Sequence, residues 1–118
     1  MTLKFYGYIG CGTCRTAKKW LDENGIGFTE IPVRATPPTK AEVKRMLAAH
    51  DGDIRKLFNV SGGDYKAMNL KDTLPTMKEA DAIALIATHG NLVKRPFVIG
   101  DGVALVGFKE DLWAEALL

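Results

Sequence analysis

Little in this chain could hold a metal or staple the fold: its 118 residues include two cysteines and two histidines. A second C-x-x-C pair or an H-x-x-x-H pair is missing, which removes the common zinc spacings, and no metal or organic cofactor is implied. No stretch approaches the roughly 20 apolar residues that a membrane-spanning helix needs. The opening Met1-Thr2-Leu3-Lys4-Phe5-Tyr6-Gly7-Tyr8 is too short and too alternating for a secretory signal. Neither charge dominates: sixteen Lys and Arg face fourteen Asp and Glu, for a net charge of +2. Charge alone therefore gives no case for nucleic acid. Repeats, low-complexity tracts and linkers are absent too. The reading is one domain over residues 1–118, large enough for a real core, monomeric and cytosolic. In that compartment a lone cysteine pair is more often redox-active than structural.

What is present centres on Cys11-Gly12-Thr13-Cys14, followed by Arg15. The pair follows an apolar run that reads as a strand and opens a stretch that reads as a helix. A helix start offers unpaired N–H groups and the positive end of the helix dipole. Both favour a thiolate, the reactive form of the residue; cysteines in such places ionise at about 3.5–7.5 rather than about 8.5. With two residues between them the sulfurs lie about one turn apart and can close a disulfide. Cys11 is expected at the exposed tip as nucleophile. Cys14, on the side of Ala17 and Leu21, is expected to be more buried and to resolve. Arg15 and Lys18 add positive charge nearby, and the N–H groups of Gly12 and Thr13 are placed to assist an anion. The alternative is a pair of buried, unreactive cysteines. Haem attachment would need histidine where Arg15 stands, and a phosphatase-type phosphate loop would want arginine where Ala17 stands.

The periodicity predicts a strand over Thr2–Tyr8, a helix over Gly12–Asn24 stopped by Gly25, and a second, parallel strand over Phe28–Val33. Pro37-Pro38 then introduces a helical block. Thr39-Lys40-Ala41-Glu42 is a capping box for a helix to His50, broken at Asp51-Gly52-Asp53. A short turn over Ile54–Asn59 and further pieces at Tyr65–Asn69 and Lys71–Leu74 follow. Pro75-Thr76-Met77-Lys78-Glu79 reads as a second capping box, for a helix to Thr88. Pro96–Ile99 and Val103–Val106 flank a Gly-rich turn as a hairpin, and a last helix, Lys109–Leu117, should turn Leu112, Trp113, Ala116 and Leu117 inward. His50 and His89, at predicted helix ends, read as surface residues or partners of the helix dipole.

This order, with C-x-x-C at the first helix, is what a thioredoxin-like α/β fold asks for: a mixed four-stranded sheet with a helical insertion over about residues 34–91. Arg95-Pro96, directly before a strand, then gains meaning. X–Pro bonds adopt the cis form readily, and a cis Pro96 would turn Arg95 toward the cysteine loop to hold an anion or steady the thiolate. The ordinary alternative is a proline starting an edge strand beside a surface arginine.

Tyr6 ahead of Cys11-Gly12-Thr13-Cys14-Arg15, Pro37-Pro38 before a capped helix, Lys94-Arg95-Pro96 before a strand, and Val106-Gly107-Phe108-Lys109-Glu110-Asp111 together resemble the ArsC arsenate reductase and Spx/MgsR family. The likeness runs in order over essentially the whole chain and is nearest to ArsC-like members reading C-G-T-C-R. It implies Cys11 as the nucleophile on arsenate and Arg95 as an anion-binding arginine. ArsC-type reductases usually carry serine where Cys14 stands and rely on glutathione and glutaredoxin. They also use two further arginines; here Asn59, with Arg55 and Lys56 near it, and Gly107 occupy those places. Spx-type relatives use C-x-x-C as an oxidation switch and bind the C-terminal domain of the RNA polymerase α subunit, with a contact glycine that would fall at Asp51-Gly52. No basic tail supports direct DNA contact. The expected function is a cytosolic thiol–disulfide oxidoreductase acting on arsenate or on a glutathione or protein disulfide, with electrons from glutathione, glutaredoxin or thioredoxin. The alternative is an Spx-like redox switch on RNA polymerase.

Overall fold

The computed structural model describes residues 2–118. In chain order the elements are β1 (Leu3–Gly7), α1 (Gly12–Glu23), β2 (Phe28–Pro32), α2 (Lys40–Ala49), α3 (Gly63–Ala67), α4 (Leu70–Thr73), α5 (Glu79–Thr88), β3 (Phe97–Gly100), β4 (Val103–Val106) and α6 (Glu110–Leu117). Short 3₁₀ turns at Ile54–Leu57, Leu74–Thr76 and Gly90–Leu92 join the middle pieces. The sheet order is β2-β1-β3-β4. β1 runs parallel to β2 and antiparallel to β3, and β3 and β4 form an antiparallel hairpin. This is the expected mixed four-stranded sheet with its helices inserted between β2 and β3.

Alternation along the strands divides the core in two. Leu3, Phe5, Val98 and Val103 face α1 and α6, where they pack with Cys14, Ala17, Leu21 and Trp113. Tyr6, Phe97 and Ile99 face the helical insertion and pack with Val43, Met46, Leu57, Phe58 and Ile86. Both faces of the sheet are thus covered, and β1 at its centre is buried except for Lys4. α1 ends as its glycine suggests: Gly25 has a φ of 66°, and Ile26 N–H returns to Leu21 C=O at 3.0 Å.

The insertion is tied down by polar contacts at its first helix. The Thr39–Glu42 capping box forms, and Glu42 also accepts from the Tyr6 hydroxyl at 2.7 Å and from Lys4 at 3.2 Å. Burial by itself would raise the Glu42 carboxyl, but the Thr39 N–H, Tyr6 and Lys4 outweigh it and hold the group below its ordinary value. Arg45 donates to the carbonyls of Gly100 and Val103, fixing α2 to the hairpin turn.

Two expectations need correction. The capping box at Thr76–Glu79 does not form: Leu74-Pro75-Thr76 curl into a 3₁₀ turn, Thr76 Oγ1 donates to Thr73 C=O at 3.3 Å, and α5 starts behind Lys78. On α6, Trp113 is buried and Leu117 partly so, but Leu112 and Ala116 are exposed. One large ring seats this short helix. Trp113 packs edge-on against Phe108 (centroids 4.9 Å apart) and Trp20 (6.1 Å). Its Nε1–H donates to Gly107 C=O at 3.1 Å.

The closest backbone approach lies at Gly90, which is buried against the chain leaving β2. A Cβ there would fall on Val33 C=O and 2.6 Å from Arg34 Cα. We expect Gly90→Ala to lose about 2–3 kcal/mol in urea unfolding, at the upper end of overpacking costs. Gly63→Ala, where an added Cβ meets nothing, should be neutral or gain about 0.5–1 kcal/mol from helix propensity.

Candidate active site

The register of the sheet assembles the site. Tyr6 pairs with Phe97, and Phe97 with Val106. One end of the sheet therefore carries the loop after β1, the residues just before β3 and those just after β4. Cys11, Arg95 and Gly107 reach the same end from three distant parts of the sequence. A bridge between Phe58 and Val93 adds a fourth: Lys94 N–H donates to Leu57 C=O at 2.9 Å and Asn59 N–H to Leu92 C=O at 2.8 Å. This brings the turn bearing Lys56 and Asn59 beside Lys94 and Arg95.

Cys11 is the N-cap of α1. Its extended backbone (φ −91°, ψ 114°) starts the helix, and its sulfur accepts the Cys14 N–H at 3.3 Å, in place of the oxygen of a serine or aspartate cap. An anion there faces the positive end of the helix dipole. Cys11 is half-buried and Cys14 fully buried, and both are free thiols. Burial first, and then the neighbouring Cys11 sulfur, push the Cys14 thiol up to about 12. The Tyr8 amide and the Arg95 charge pull the other way without cancelling this. At neutral pH Cys14 is a thiol lying under the Cys11 sulfur.

Arg95 precedes Pro96 through a cis peptide bond. Its guanidinium lies over the Tyr8 ring, 5.3 Å from the centroid, and Arg34 lies over the same ring at 3.7 Å. Tyr8 in turn holds the cysteine loop, since its C=O accepts the Cys11 N–H at 3.0 Å. Arg95 Nη1 is buried and has no hydrogen-bond partner among the described residues. A buried donor without a partner costs about 1–3 kcal/mol, so this one is placed to meet an incoming acceptor.

A cleft of about 610 Å³ opens at this end, with Cys11, Thr13 and Arg95 on its walls. Of the other residues singled out from sequence, Gly12 and Arg15 sit behind Cys11 in the first turn of α1, and Pro96 is buried beside Arg95; none of the three lines the cleft. Arg15 folds back to donate to Ile9 C=O at 3.3 Å, and Lys18 is paired with Glu30 at 2.8 Å. The positive charge facing the cleft comes instead from Lys56, Lys94, Arg95 and Lys109. Of these, Lys94 and Lys109 stood inside family-like motifs and Lys56 beside Asn59, without any sign that they share one wall.

His50 is also on the wall. It ends α2 and donates from Nδ1 to Met46 C=O at 2.9 Å, so its helix-end role holds while its place in the cleft was not legible. Asn59 and Gly107 line the cleft as well. Asp51 and Gly52 take left-handed conformations (φ 58° and 74°), and Gly52 N–H returns to Leu47 C=O at 2.9 Å, which ends α2. Among the described residues, no group of three or more His, Cys, Asp or Glu side chains could hold a metal ion, and no helix is long and apolar enough to cross a membrane.

Residues 6–116 match the model of the ArsC family. The chain is 44% identical over 115 residues to the uncharacterized protein YusI of Bacillus subtilis, covering 98% of both. It is 27% identical over 106 residues to the global transcriptional regulator Spx 1 of Bacillus cereus, covering 90% of this chain and 79% of that one. A putative ArsC family related protein from Bacteroides fragilis superposes with a TM-score of 0.91 at 43% identity, over 98% of each chain. The α/β architecture with its cysteine-bearing first helix is the ArsC-type, thioredoxin-like one.

The two sulfurs should separate on alkylation of the reduced protein. In Cys14→Ser, iodoacetamide should modify Cys11 rapidly at pH 7.5. In Cys11→Ser, modification of Cys14 should be slow and rise about tenfold per pH unit without a plateau below about pH 11, because only the thiolate reacts. Similar rates at pH 7.5 would contradict the assigned asymmetry.

Proposed function

The chain belongs to the ArsC family, and from that membership we propose a thiol–disulfide oxidoreductase in which Cys11 attacks and Cys14 resolves. The observation that carries this reading is the unequal placement of two adjacent free thiols. One caps a helix at the wall of a cationic cleft, and the other is buried beneath it. Two inert buried cysteines would leave neither at a cleft.

The Cys11 thiolate attacks one sulfur of a disulfide RS–SR′. A Cys11–SR bond forms, and R′S⁻ leaves and takes up a proton. Cys14 then gives up its proton and attacks the Cys11 sulfur, forming the Cys11–Cys14 disulfide and expelling RS⁻. Two electrons pass from the two protein thiols to the substrate. Glutathione, glutaredoxin or thioredoxin returns them with two protons, as the cytosolic thiol pool can. For a protein donor, the Ile9 side chain, 85% exposed two residues before Cys11, offers apolar contact. The same sulfur chemistry serves arsenate. Cys11 displaces a hydroxide from arsenic(V), and attack of Cys14 on the Cys11 sulfur leaves the S–As electron pair on arsenic, which departs as arsenic(III). In either case Arg95 meets the anion with its Nη1, unpartnered among the described residues, and the N–H of Thr13, which lines the cleft, assists. The chain acts as one unit over residues 1–118, as a monomer.

The likeness to the Spx 1 regulator favours a second reading, in which the same disulfide changes a surface that binds the RNA polymerase α C-terminal domain. The helix-ending role of Gly52 counts against assigning it a contact. Capture of that domain by the oxidised or the reduced protein alone, without substrate turnover, would put this reading first.

The enzyme reading is tested by trapping. Incubated with a disulfide substrate, Cys14→Ser should accumulate a covalent adduct on Cys11, seen by intact mass, and lose at least 100-fold in multiple turnover. Cys11→Ser should form no adduct. An adduct in Cys11→Ser, or full turnover by Cys14→Ser, would overturn the assignment.

A further inference from the structure

Resting on the reading of Arg95 as the anion contact beside a nucleophilic Cys11, we infer that Tyr8 is a positioning residue whose ring face holds the Arg95 guanidinium at the cleft. The first ground is what Arg95 lacks. Arg15 donates to Ile9 C=O, and Arg45 donates to the carbonyls of Gly100 and Val103. The Arg95 side chain has no hydrogen bond and no ion pair among the described residues, where the ion pairs are Lys4–Glu42 and Lys18–Glu30. An arginine without a partner ordinarily keeps its charged head in water. Here Nη1 is buried instead. What offsets this is the Tyr8 ring. Its centroid lies 5.3 Å from the guanidinium carbon, within the range over which an aromatic face attracts a cation.

The second ground is how the ring itself is placed. Tyr8 follows Gly7, the last residue of β1, a strand paired on both sides within the sheet. Its C=O accepts the Cys11 N–H at 3.0 Å, so the backbone that carries the ring also sets the nucleophile. The ring is half-buried and packs against the core on the insertion side. Gly10 leaves room for it: a Cβ there would stand 2.7 Å from Tyr8 Cε1 and 3.2 Å from Cζ. Arg34 lies over the same ring, 3.7 Å from its centroid. That side chain is exposed, but the backbone beneath it is fixed. Val33 N–H donates to Gly7 C=O at 3.0 Å, and Gly90 packs closely against Arg34 Cα.

The third ground separates the ring from its hydroxyl. The Tyr6 hydroxyl donates to Glu42, whereas the Tyr8 hydroxyl has no partner among the described residues. The aromatic face is therefore the working part of Tyr8, and a ring without the hydroxyl should serve equally well.

The test reads Cys11 with two reagents of similar size, anionic iodoacetate and neutral iodoacetamide, on the full-length reduced protein carrying Cys14→Ser. The ratio of the two rates reports the cation beside the sulfur, because a change in the sulfur itself moves both rates together. Arg95→Ala should lower the ratio about fivefold, between an exposed pair and a charge-assisted hydrogen bond. Tyr8→Leu should lower it nearly as far, and Tyr8→Phe should keep it near the intact value. In the Arg95→Ala background, Tyr8→Leu should lower it no further. Arg34→Met, whose exposed side chain leaves the core intact, should lower the ratio about twofold. That effect too should vanish with Arg95→Ala, whereas a charge acting directly on the reagent would persist. An unchanged ratio in Tyr8→Leu, an equal slowing of both reagents, or a further fall in the Arg95→Ala background would overturn the inference while leaving Cys11 as the nucleophile. Where Tyr8→Leu does not fold, Arg34→Met decides in the same way. A ratio unmoved by Arg95→Ala would remove the anion role of Arg95 and this inference with it. Failure of Cys11 to react with either reagent would instead remove the oxidoreductase reading.

Discussion

Everything at the candidate site depends on the pairing of β1 with β3. Because Tyr6 lies opposite Phe97, and Phe97 opposite Val106, the β1–α1 loop, the Arg95-Pro96 corner and Gly107 come out at one end of the sheet. A one-residue slip would exchange the two faces of a strand that is packed on both. The cost of that exchange holds the register, and so the core fixes the distance between Cys11 and the arginine across from it. The Phe58–Val93 bridge extends the same logic into the insertion, whose turn is hydrogen-bonded to the segment leading into β3.

Within that frame the two cysteines are made unequal by geometry alone. Three residues of helix place the Cys14 amide under the Cys11 sulfur and bury the Cys14 side chain in the α1 side of the core. Charge is divided in a similar way. Lys18, close to the cysteines in sequence, is paired with Glu30 on β2 and Arg15 is turned onto the loop, whereas the cations that face the cleft arrive from far along the chain. The helix end faces the Cys11 sulfur, and Arg95 Nη1, without a hydrogen-bond partner among the described residues, faces the cleft.

What was legible in the sequence was local. The N-cap placement of Cys11, the Thr39–Glu42 box, the Gly25 stop and the β3–β4 hairpin each rest on a few adjacent residues whose conformational preferences agree. The second capping box failed because Leu74-Pro75-Thr76 had another local solution, a 3₁₀ turn that uses the threonine hydroxyl itself. Leu112 fitted an apolar stripe of which the short helix buries only Trp113 and, in part, Leu117, with Phe108 beside them. Lys56, His50 and Lys109 carried no signal of meeting at one wall, because only the packing of the insertion and α6 on the sheet brings them together.

The central claim is that Cys11 and Cys14 form one redox couple. Equilibrating the protein in glutathione buffers of graded potential, quenching with an alkylating label and reading each cysteine by mass tests it most directly. The account predicts one two-electron transition in which both cysteines lose the label together and the product is an intramolecular Cys11–Cys14 disulfide in a single chain. Cys11 remaining glutathionylated, or linked to a second chain, while Cys14 stays free throughout would contradict it.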